Sequence, residues 1–535
     1  LKKLNIVFAN LNGNLYADGS RLLSARLKRM GHRVRMVFLI ERERNYYTEH
    51  TLDQFTQLCA DADLILMSYL SDMFLRAARL TTYVRERLTA PVVWGGLQAT
   101  IDPEDCMKYV DILCRGEGDE ALPEFIDLFA ESKPFHEVEN FWVRRNGEIV
   151  RNEMRPLLQD LDSNPWPDYA LDGHFIRDDD DKIKPMTEAL MAKYHNTMPL
   201  GFHNYAASTA RGCAQFCSYC YNSTFKNMFQ GQRRLRFRSM EDVVDEIRDV
   251  LDRYPFFLSF SFADDDLFLR SKKDLQLLAD LIHEKLPDVL QRTFWSCAAT
   301  PAFINEEKLN ILVPAGLKAI MIGVQTGSER MNLEVYNRRF KNSLFHEKAD
   351  LIDRKFHKRL IVLLDFMIHC PYETEDDVLE TVKMLCAMPN WFVPSIYRFT
   401  FYPGTPIYER AVKDGIIDRN PEVYSNMAFY PFIYKGYSFM THVMVLSAAA
   451  NYILPRWVKK LLCSRAFRAL GGRLPQWILD LVPWKTMYKK LWSINQEAIY
   501  RKGDRRHEMG KGDEDPLEGD QAPGEKREIP IHQPE

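Results

Sequence analysis

The sequence predicts an α/β protein: a doubly wound parallel sheet, then a second series of βα units, then a helical C-terminal region. Three observations predict it. Short apolar runs alternate with segments of helical spacing over residues 1–145, the alternation resumes over 205–415, and strand-like runs stop past about residue 416. Such alternation is the pattern of parallel sheets, in which each strand returns through a helix packed on the sheet. A length of 535 residues leaves room for two or three such units, each with its own core.

In the first unit (1–145), the runs 4–9, 34–39, 63–68 and 91–94 read as short buried strands, with 111–114 as a shorter fifth. Segments 20–30 and 74–88 carry helical spacing between them. In Rossmann-like sheets of this kind, ligands sit at the carboxyl ends of the strands. Three features fall there: the loop 10–14 with Asn12, the stretch from Ser68 to Ser71, and the pair Gly95-Gly96, where a ligand can approach the backbone closely. Residues 146–204 read as a connector. Its run Asn164-Pro165-Trp166-Pro167-Asp168-Tyr169 favours an extended path, and the acidic run 178–181 reads as a solvated loop rather than a metal site.

The second unit (205–415) carries expected strands at 206–210, 257–262, 293–298, 319–324, 360–368 and 396–401. Ser239-Met240-Glu241-Asp242 stands before Val243, Val244 and Ile247 in a capping-box pattern, which starts the helix after the first strand. Six βα units are too few to close an eight-unit barrel.

Cys213, Cys217 and Cys220 lie in the run Arg-Gly-Cys-Ala-Gln-Phe-Cys-Ser-Tyr-Cys. Three thiolates in one loop do not complete a four-ligand zinc shell, and the sequence has no second Cys/His cluster to supply the rest. They can hold a [4Fe-4S] cluster and leave its fourth iron open. The C-x3-C-x2-C spacing, with Tyr219 just before the last cysteine, resembles the signature of the radical S-adenosylmethionine (SAM) enzymes. The resemblance implies that the open iron binds the amino and carboxylate groups of SAM. One electron from the cluster then cleaves SAM to methionine and a 5′-deoxyadenosyl radical. It also implies that the six units form the partial (β/α)6 barrel of that family. The other cysteines (Cys59, Cys106, Cys114, Cys297, Cys370, Cys386, Cys463) are scattered among apolar neighbours and read as buried free thiols.

Further motifs carry the resemblance along the second unit. Phe262-Ala263-Asp264-Asp265-Asp266-Leu267-Phe268 is similar to the family's acidic motif, which implies that Asp264 or Asp265 receives the SAM amino group. A Mg or Mn site is the competing reading of these carboxylates, and no phosphate-binding loop stands nearby to favour it. Gly323-Val324-Gln325-Thr326-Gly327-Ser328-Glu329-Arg330 resembles a Gly-Val-Glu-Ser-Gly-Ser stretch, with Gln325 in the place of Glu. Gln325 retains hydrogen-bonding capacity toward ribose hydroxyls. Arg330 reads either as a fork for the SAM carboxylate or as a surface arginine at a helix start. Ile368-His369-Cys370-Pro371-Tyr372-Glu373-Thr374 departs from the family's Gly-Leu-Pro-Gly-Glu-Thr at His369 and Tyr372. His369 is then a wall residue or a substrate-side acid or base. Tyr402-Pro403-Gly404-Thr405-Pro406 is similar to the turn that closes the sixth strand.

In the first unit, Trp94-Gly95-Gly96-Leu97-Gln98-Ala99-Thr100, then Pro103-Glu104, then Arg115-Gly116-Glu117-Gly118-Asp119-Glu120 resemble the cobalamin-binding domain fused to many radical SAM enzymes. The resemblance covers roughly residues 1–145 and implies cobalamin contacts from Asn12, Ser68, Gly95 and Gly96. Residues 115–120 also read as a loop opening a helix, its acids favoured by the helix dipole. Some cobalamin domains carry an Asp-x-His-x-x-Gly loop. Here Asn10-Leu11-Asn12-Gly13-Asn14 stands in its place, so no histidine from that loop ligates the cobalt. A weak or absent lower ligand suits methyl transfer.

Residues 416–502 read as helical, with Trp457, Trp477, Trp484 and Trp492 set among Lys and Arg. A cap packed over the active site and a helix lying on a membrane surface both fit, and burial of the aromatics favours the cap. Residues 503–535, rich in Gly, Pro and charge, read as disordered. The longest apolar stretch, 443–454, is shorter than a membrane span. A formal net charge of -3 carries no footprint of a nucleic-acid partner. The scattered cysteines, and an opening without a charged-then-apolar signal segment, point to a reducing cytosol.

The function implied is that of a cobalamin-dependent radical SAM enzyme with a small-molecule substrate and a reductant such as flavodoxin or ferredoxin. Methyl transfer to an unactivated carbon or phosphorus centre is the leading reading, because SAM's electrophilic methyl cannot alkylate such a centre without a relay. Oxidative ring closure or ring contraction with the same cofactors is the alternative. A non-catalytic cobalamin or redox sensor is a third, but sensing needs no series of strand-end motifs.

Overall fold

The computed structural model describes residues 2–41, 46–195, 203–420 and 438–464 except 452, with scattered residues beyond, up to 494. Nine strands form the first sheet: β1 (Asn5–Asn10), β2 (Arg33–Phe38), β3 (Leu64–Ser68), β4 (Val92–Gly95), β5 (Ile112–Cys114), β6 (Phe141–Arg145), β7 (Glu148–Arg151), β8 (His174–Arg177) and β9 (Ile183–Pro185). Their spatial order is β7-β6-β5-β4-β3-β1-β2-β8-β9. Ile6 and Phe8 pack into one core while Val7 and Ala9 pack into another, so both faces of β1 are covered by apolar side chains. That is why the first-unit strands are near-continuous apolar runs. β1 pairs in parallel with β2 on one side and β3 on the other. The order of the sheet reverses there, opening a crevice at the carboxyl ends.

β7, β8 and β9 fall in the segment read as a connector: β7 pairs with β6 at one end of the first sheet, and β8 and β9 extend the other end beyond β2. Asp168 fastens this segment to helix Asp18–Arg29, accepting from Ser24 Oγ at 2.7 Å and pairing with Lys28 at 2.7 Å. It also meets His174 Nε2 on β8 at 3.1 Å. The acidic run is not a solvated loop. Asp181 accepts from Thr51 Oγ1 at 2.6 Å and pairs with Arg177 at 2.7 Å, while Asp178 pairs with Lys184 at 2.6 Å and Lys193 at 2.7 Å. Local charge pattern concealed this, because Thr51 is far away in the chain and the lysines come from the following hairpin and helix.

The second sheet has six parallel strands in the order β10-β13-β14-β15-β16-β17. They are β10 (Asn204–Ala207), β13 (Ser259–Phe262), β14 (Phe294–Ala299), β15 (Leu317–Gln325), β16 (Ile361–Ile368) and β17 (Val393–Arg398), with a hairpin of β11 (Ala210–Arg211) and β12 (Arg236–Phe237) after the first. This is the open six-unit barrel. β17 begins before the expected run at 396 because Pro394 is accommodated on an edge strand. Ser239 caps helix Met240–Arg253 by accepting from Asp242 N at 3.3 Å, but its own amide donates to Asp162 at 3.0 Å. The cap is therefore one-sided. A reciprocal box is formed instead by Thr374 and Asp377 on helix Glu375–Ala387.

Helix Phe439–Ala449 packs on helix Glu375–Ala387 and against β17. Asn451 Nδ2 donates to Phe392 O at 2.9 Å, and Lys459 Nζ donates to Asn390 Oδ1 at 2.8 Å. Both partners precede β17, so this part of the C-terminal region lies on the outer wall at the amino end of the strand, away from the carboxyl ends it was expected to cap. Trp457 on helix Arg456–Leu462 is 69% exposed rather than buried. Trp477, Trp484, Trp492 and the tail 503–535 lie outside the described residues. Among the described residues no helix is long and apolar enough to cross a membrane. Of the scattered cysteines, Cys59, Cys106, Cys114, Cys297 and Cys370 are buried free thiols, and Cys386 and Cys463 are half-buried.

Burial alone would push the Asp168 carboxyl up, but hydrogen bonds and charge from His174, Lys28 and Ser24 carry it well below the ordinary carboxylate value. A depressed carboxylate contributes stability that is full above the unfolded value, about 4, and is lost as pH falls through the folded one. Asp168→Asn is expected to lower unfolding free energy at pH 7 by about 2 kcal/mol. Denaturant titrations at a series of pH values should show that difference shrinking as pH falls below about 4.

Candidate active site

The three cysteines occupy the loop between β11 and helix Tyr221–Met228, with Cys220 at the helix N-cap. Gly212 precedes Cys213 with φ +91°, and a Cβ there would lie 2.6 Å from Arg234 O. Only glycine lets the two strands of the hairpin pass so closely. Segment 331–339 holds the loop. Ser218 N donates to Tyr336 O at 2.9 Å, Ser218 Oγ to Val335 O at 2.6 Å, and Asn337 Nδ2 to Phe216 O at 2.9 Å. Two cations approach the Phe216 ring, Lys226 Nζ at 3.3 Å and the Arg339 guanidinium at 4.1 Å from its centroid.

All three thiols are half-buried. Burial pushes Cys213 up to about 12 and Cys220 up to about 11, so iron must displace their protons. Gln215 N donates to Cys213 Sγ at 3.4 Å and Asn222 Nδ2 to Cys220 Sγ at 3.8 Å, contacts that also favour a thiolate. Among the described residues, no three His, Cys, Asp or Glu side chains converge closely enough to hold a single metal ion. A four-iron cluster takes each thiolate on a separate corner and needs no such convergence. The donor set fits a cluster with one corner left free.

The two candidate aspartates have separated roles. Asp264 is buried and accepts from Thr209 N at 2.7 Å, Ala210 N at 2.9 Å and the Thr209 hydroxyl, which locks the carboxyl end of β10 to that of β13. Asp265 faces the cysteine loop and accepts from Asn222 Nδ2 at 2.8 Å. Asp266 caps the next turn through Phe268 N at 2.9 Å and accepts from Thr300 N at 2.9 Å, so the trio does not converge as a cation site. Gln325 ends β15 with φ 70°, and His369 follows β16 with φ 65°. Left-handed backbone at two adjacent strand ends is strain stored at the rim. A Cβ on Gly323 would lie 2.8 Å from Gln325 Nε2 and 3.9 Å from Arg338 Nη2, so both side chains crowd the same point. Arg338, buried, donates to Val324 O and Gly323 O and acts electrostatically on Tyr219. Tyr219 packs edge-on to Tyr336 with ring centroids 5.2 Å apart. Arg330 is not part of this group: it pairs with Asp377 and donates to Tyr372 O at 2.8 Å.

At the carboxyl edge of the first sheet stand Asn12, Ser68, Gly95 and Gly96, each partly exposed. Asn12 Oδ1 is buried with no partner, an acceptor suited to an amide-bearing ligand such as cobalamin. Gly96 has φ 88°, and a Cβ there would lie 2.7 Å from Ser68 Oγ. Its glycine thus serves contact with the β3 loop, not the open approach expected from the sequence. This edge meets the barrel. Ser71 Oγ lies 2.6 Å from Tyr221 Oη, one residue past Cys220, and a Cβ on Gly404 would lie 2.1 Å from Ile101 Cγ2.

A second seam holds the cysteine hairpin. Arg211 donates two bonds to Asp119, at 2.9 and 2.8 Å, and Arg236 donates two to Glu117, at 2.8 and 2.7 Å. Burial alone would push the Asp119 carboxyl up, and Arg211 carries it below its ordinary value. Glu117 and Asp119 therefore face the second unit, and Glu120 at the N-cap makes no side-chain cap to helix Ala121–Ala130. Sequence reasoning missed Arg211, Arg236, Lys226 and Arg338. For Arg211 alone there was a local signal, its place directly before Gly212-Cys213.

The model of the Radical SAM superfamily matches residues 207–385, and that of the B12 binding domain matches residues 4–126. An uncharacterized methyltransferase of Pyrococcus horikoshii is 25% identical over 333 residues, 61% of this chain and 64% of that protein. The anaerobic magnesium-protoporphyrin IX monomethyl ester cyclase of Cereibacter sphaeroides is 24% identical over 404 residues, 71% of this chain and 57% of that protein. The chain thus spans less than two thirds of the length of these relatives. The structure of the radical S-adenosylmethionine methyltransferase TsrM from Kitasatospora setae, with cobalamin and a [4Fe-4S] cluster bound, superposes with a TM-score of 0.61 at 16% identity, covering 94% of this chain and 99% of that one. That likeness is one of fold.

The geometry separates the two aspartates experimentally. Asp264→Ala leaves two buried backbone donors without an acceptor and should cost about 3 kcal/mol. Asp265→Ala removes a single contact at the loop and should stay within about 1 kcal/mol of the parent. Chemical denaturation of the three proteins side by side reads the difference.

Proposed function

Because the chain belongs to the radical SAM proteins that carry a B12-binding domain, we propose that it is a cobalamin-dependent methyltransferase acting on an unactivated centre of a small molecule. When bound, the cluster supplies the electron that cleaves SAM, and cobalamin supplies a nucleophilic metal that can carry a methyl group. Everything else falls to the chain. Cys213, Cys217 and Cys220 hold the cluster, and Lys226, within electrostatic reach of Cys213 and Cys217, offsets its negative charge. Asp265 and Asn222 receive the SAM ammonium beside that loop, while Tyr219, Gln325 and the buried Arg338 form the opposite wall. Asn12 Oδ1 accepts from a cobalamin amide, and Ser68 and the Gly95-Gly96 turn shape the rest of that edge. The loop 10–14 offers the cobalt no histidine.

The observation that carries the reading is the meeting of the two carboxyl edges at Ser71–Tyr221 and Ile101–Gly404. Cofactors held on those edges share one space from which the surrounding side chains exclude water. A low-potential donor such as flavodoxin or ferredoxin in a reducing cytosol completes the requirements. Oxidative ring closure is the second reading, favoured by the similarity to the cyclase of Cereibacter sphaeroides.

Anaerobic reconstitution with iron, sulfide and cobalamin, followed by reductant and methyl-deuterated SAM, tests the proposal. Mass spectrometry should find the label on the cobalamin fraction without any substrate present. Unlabelled cobalamin alongside accumulating 5′-deoxyadenosine would favour ring closure, and failure to retain cobalamin would overturn both readings. Cys217→Ala is expected to retain cobalamin and to form no 5′-deoxyadenosine.

A further inference from the structure

The interior of the barrel contains one carboxylate that the chemistry above does not use. Asp365 lies in the middle of β16 between Leu364 and Phe366, both fully buried toward the helices, so its side chain is on the opposite, inner face. In register it stands beside Gly323 on β15 and Ser395 on β17. Ser261, Ser296 and Ala298 continue the same inner face on β13 and β14. The two register neighbours of Asp365, Gly323 and Ser395, are thus among the smallest residues.

Asp365 Oδ1 is buried without a hydrogen-bond partner, and among the described residues no hydrogen bond or ion pair reaches the carboxylate. Burial, with no neighbouring charge to oppose it, pushes the group up to about 6. An unpaired carboxylate in such a place destabilises the fold, and a hydrophobic residue would fill the position better. The burial is explained if the missing partner arrives from outside. Asp365 also lies three residues before the end of β16, about 10 Å beneath the strand end that His369 follows, while Gln325 stands beside Phe366, one residue above it.

We propose that Asp365 anchors a protonated nitrogen of the substrate, which makes the substrate class an amine or a basic N-heterocycle. The proposal rests on the reading above only in requiring that the substrate enters the barrel. Met321 and Met367, on the same inner face, provide an apolar wall for the carbon skeleton attached to that nitrogen.

Benzylammonium and benzyl alcohol, matched in shape and differing in the charged donor, serve as probes. Equilibrium dialysis against the reconstituted holoenzyme with SAM should show benzylammonium bound at least about tenfold more tightly, the worth of one charge-assisted hydrogen bond. Asp365→Asn should abolish the preference, and Asp365→Glu should restore part of it. Equal binding of the two probes by the parent, no binding of benzylammonium up to millimolar concentration, or an unchanged preference in Asp365→Asn would each overturn the proposal. The parent comparison decides the matter even if a variant fails to fold. Label transfer to cobalamin, measured in the same parent preparation, reports separately on methyl transfer, so either reading can fall while the other stands.

Discussion

The arrangement of the whole molecule depends on two arginines that lie side by side. Arg211 and Arg236 are register partners on a two-stranded hairpin, one residue before the glycine that opens the cysteine loop and at its far end. Two guanidinium groups so close repel each other, and the hairpin is too short to hold them by backbone bonds alone. Asp119 binds Arg211 and Glu117 binds Arg236 in bidentate fashion, and Glu117 also pairs with Arg211 at 3.3 Å, so the acids offset the repulsion. The acids come from the first unit and the arginines from the second. The interaction that makes the hairpin stable therefore also fixes where the cysteine loop lies against the first sheet.

With that seam in place, the remaining geometry follows. The β3 loop reaches Tyr221 on the helix that Cys220 caps, and the turn after β17 presses Gly404 against Ile101. Each contact joins a carboxyl edge of one sheet to a carboxyl edge of the other. The rim is strained: Gln325 and His369 both adopt left-handed backbone, conformations that a relaxed strand end would assign to glycine. Packing beneath them supports that strain, with Phe366 and Ile368 fully buried against the surrounding helices. Below the rim the inner face is the reverse case, with the Asp365 carboxylate set between the small residues Gly323 and Ser395.

Strand and helix existence was legible along the first unit because strands covered on both faces write continuous apolar runs, and along the second because the outer face of each strand is buried against helices. The cysteine loop was legible because its ligands lie within eight residues. The segment 146–204 was misread, since β8 joins the first sheet through β2, a partner more than a hundred residues away. The aspartate motif was legible as a motif but not residue by residue: whether Asp264 or Asp265 faces the cysteines depends on which one Thr209 and Ala210 capture. Arg330 and Arg338 were indistinguishable by type, and only the position of Asp377 draws the first one away.

Features encoded within one element could be read without a structure: two α/β units, their order, three clustered thiols, and glycines where the backbone turns. Local sterics and hydrophobic periodicity decide those features, and both operate over a few residues. Tertiary structure alone decided which acids meet which arginines, which of three adjacent aspartates remains available, and that Asp365 lies on the inner face of the barrel between Gly323 and Ser395. Those outcomes depend on charges and volumes brought together from distant parts of the chain, and burial sets the strength of each such contact only after the chain has closed around it.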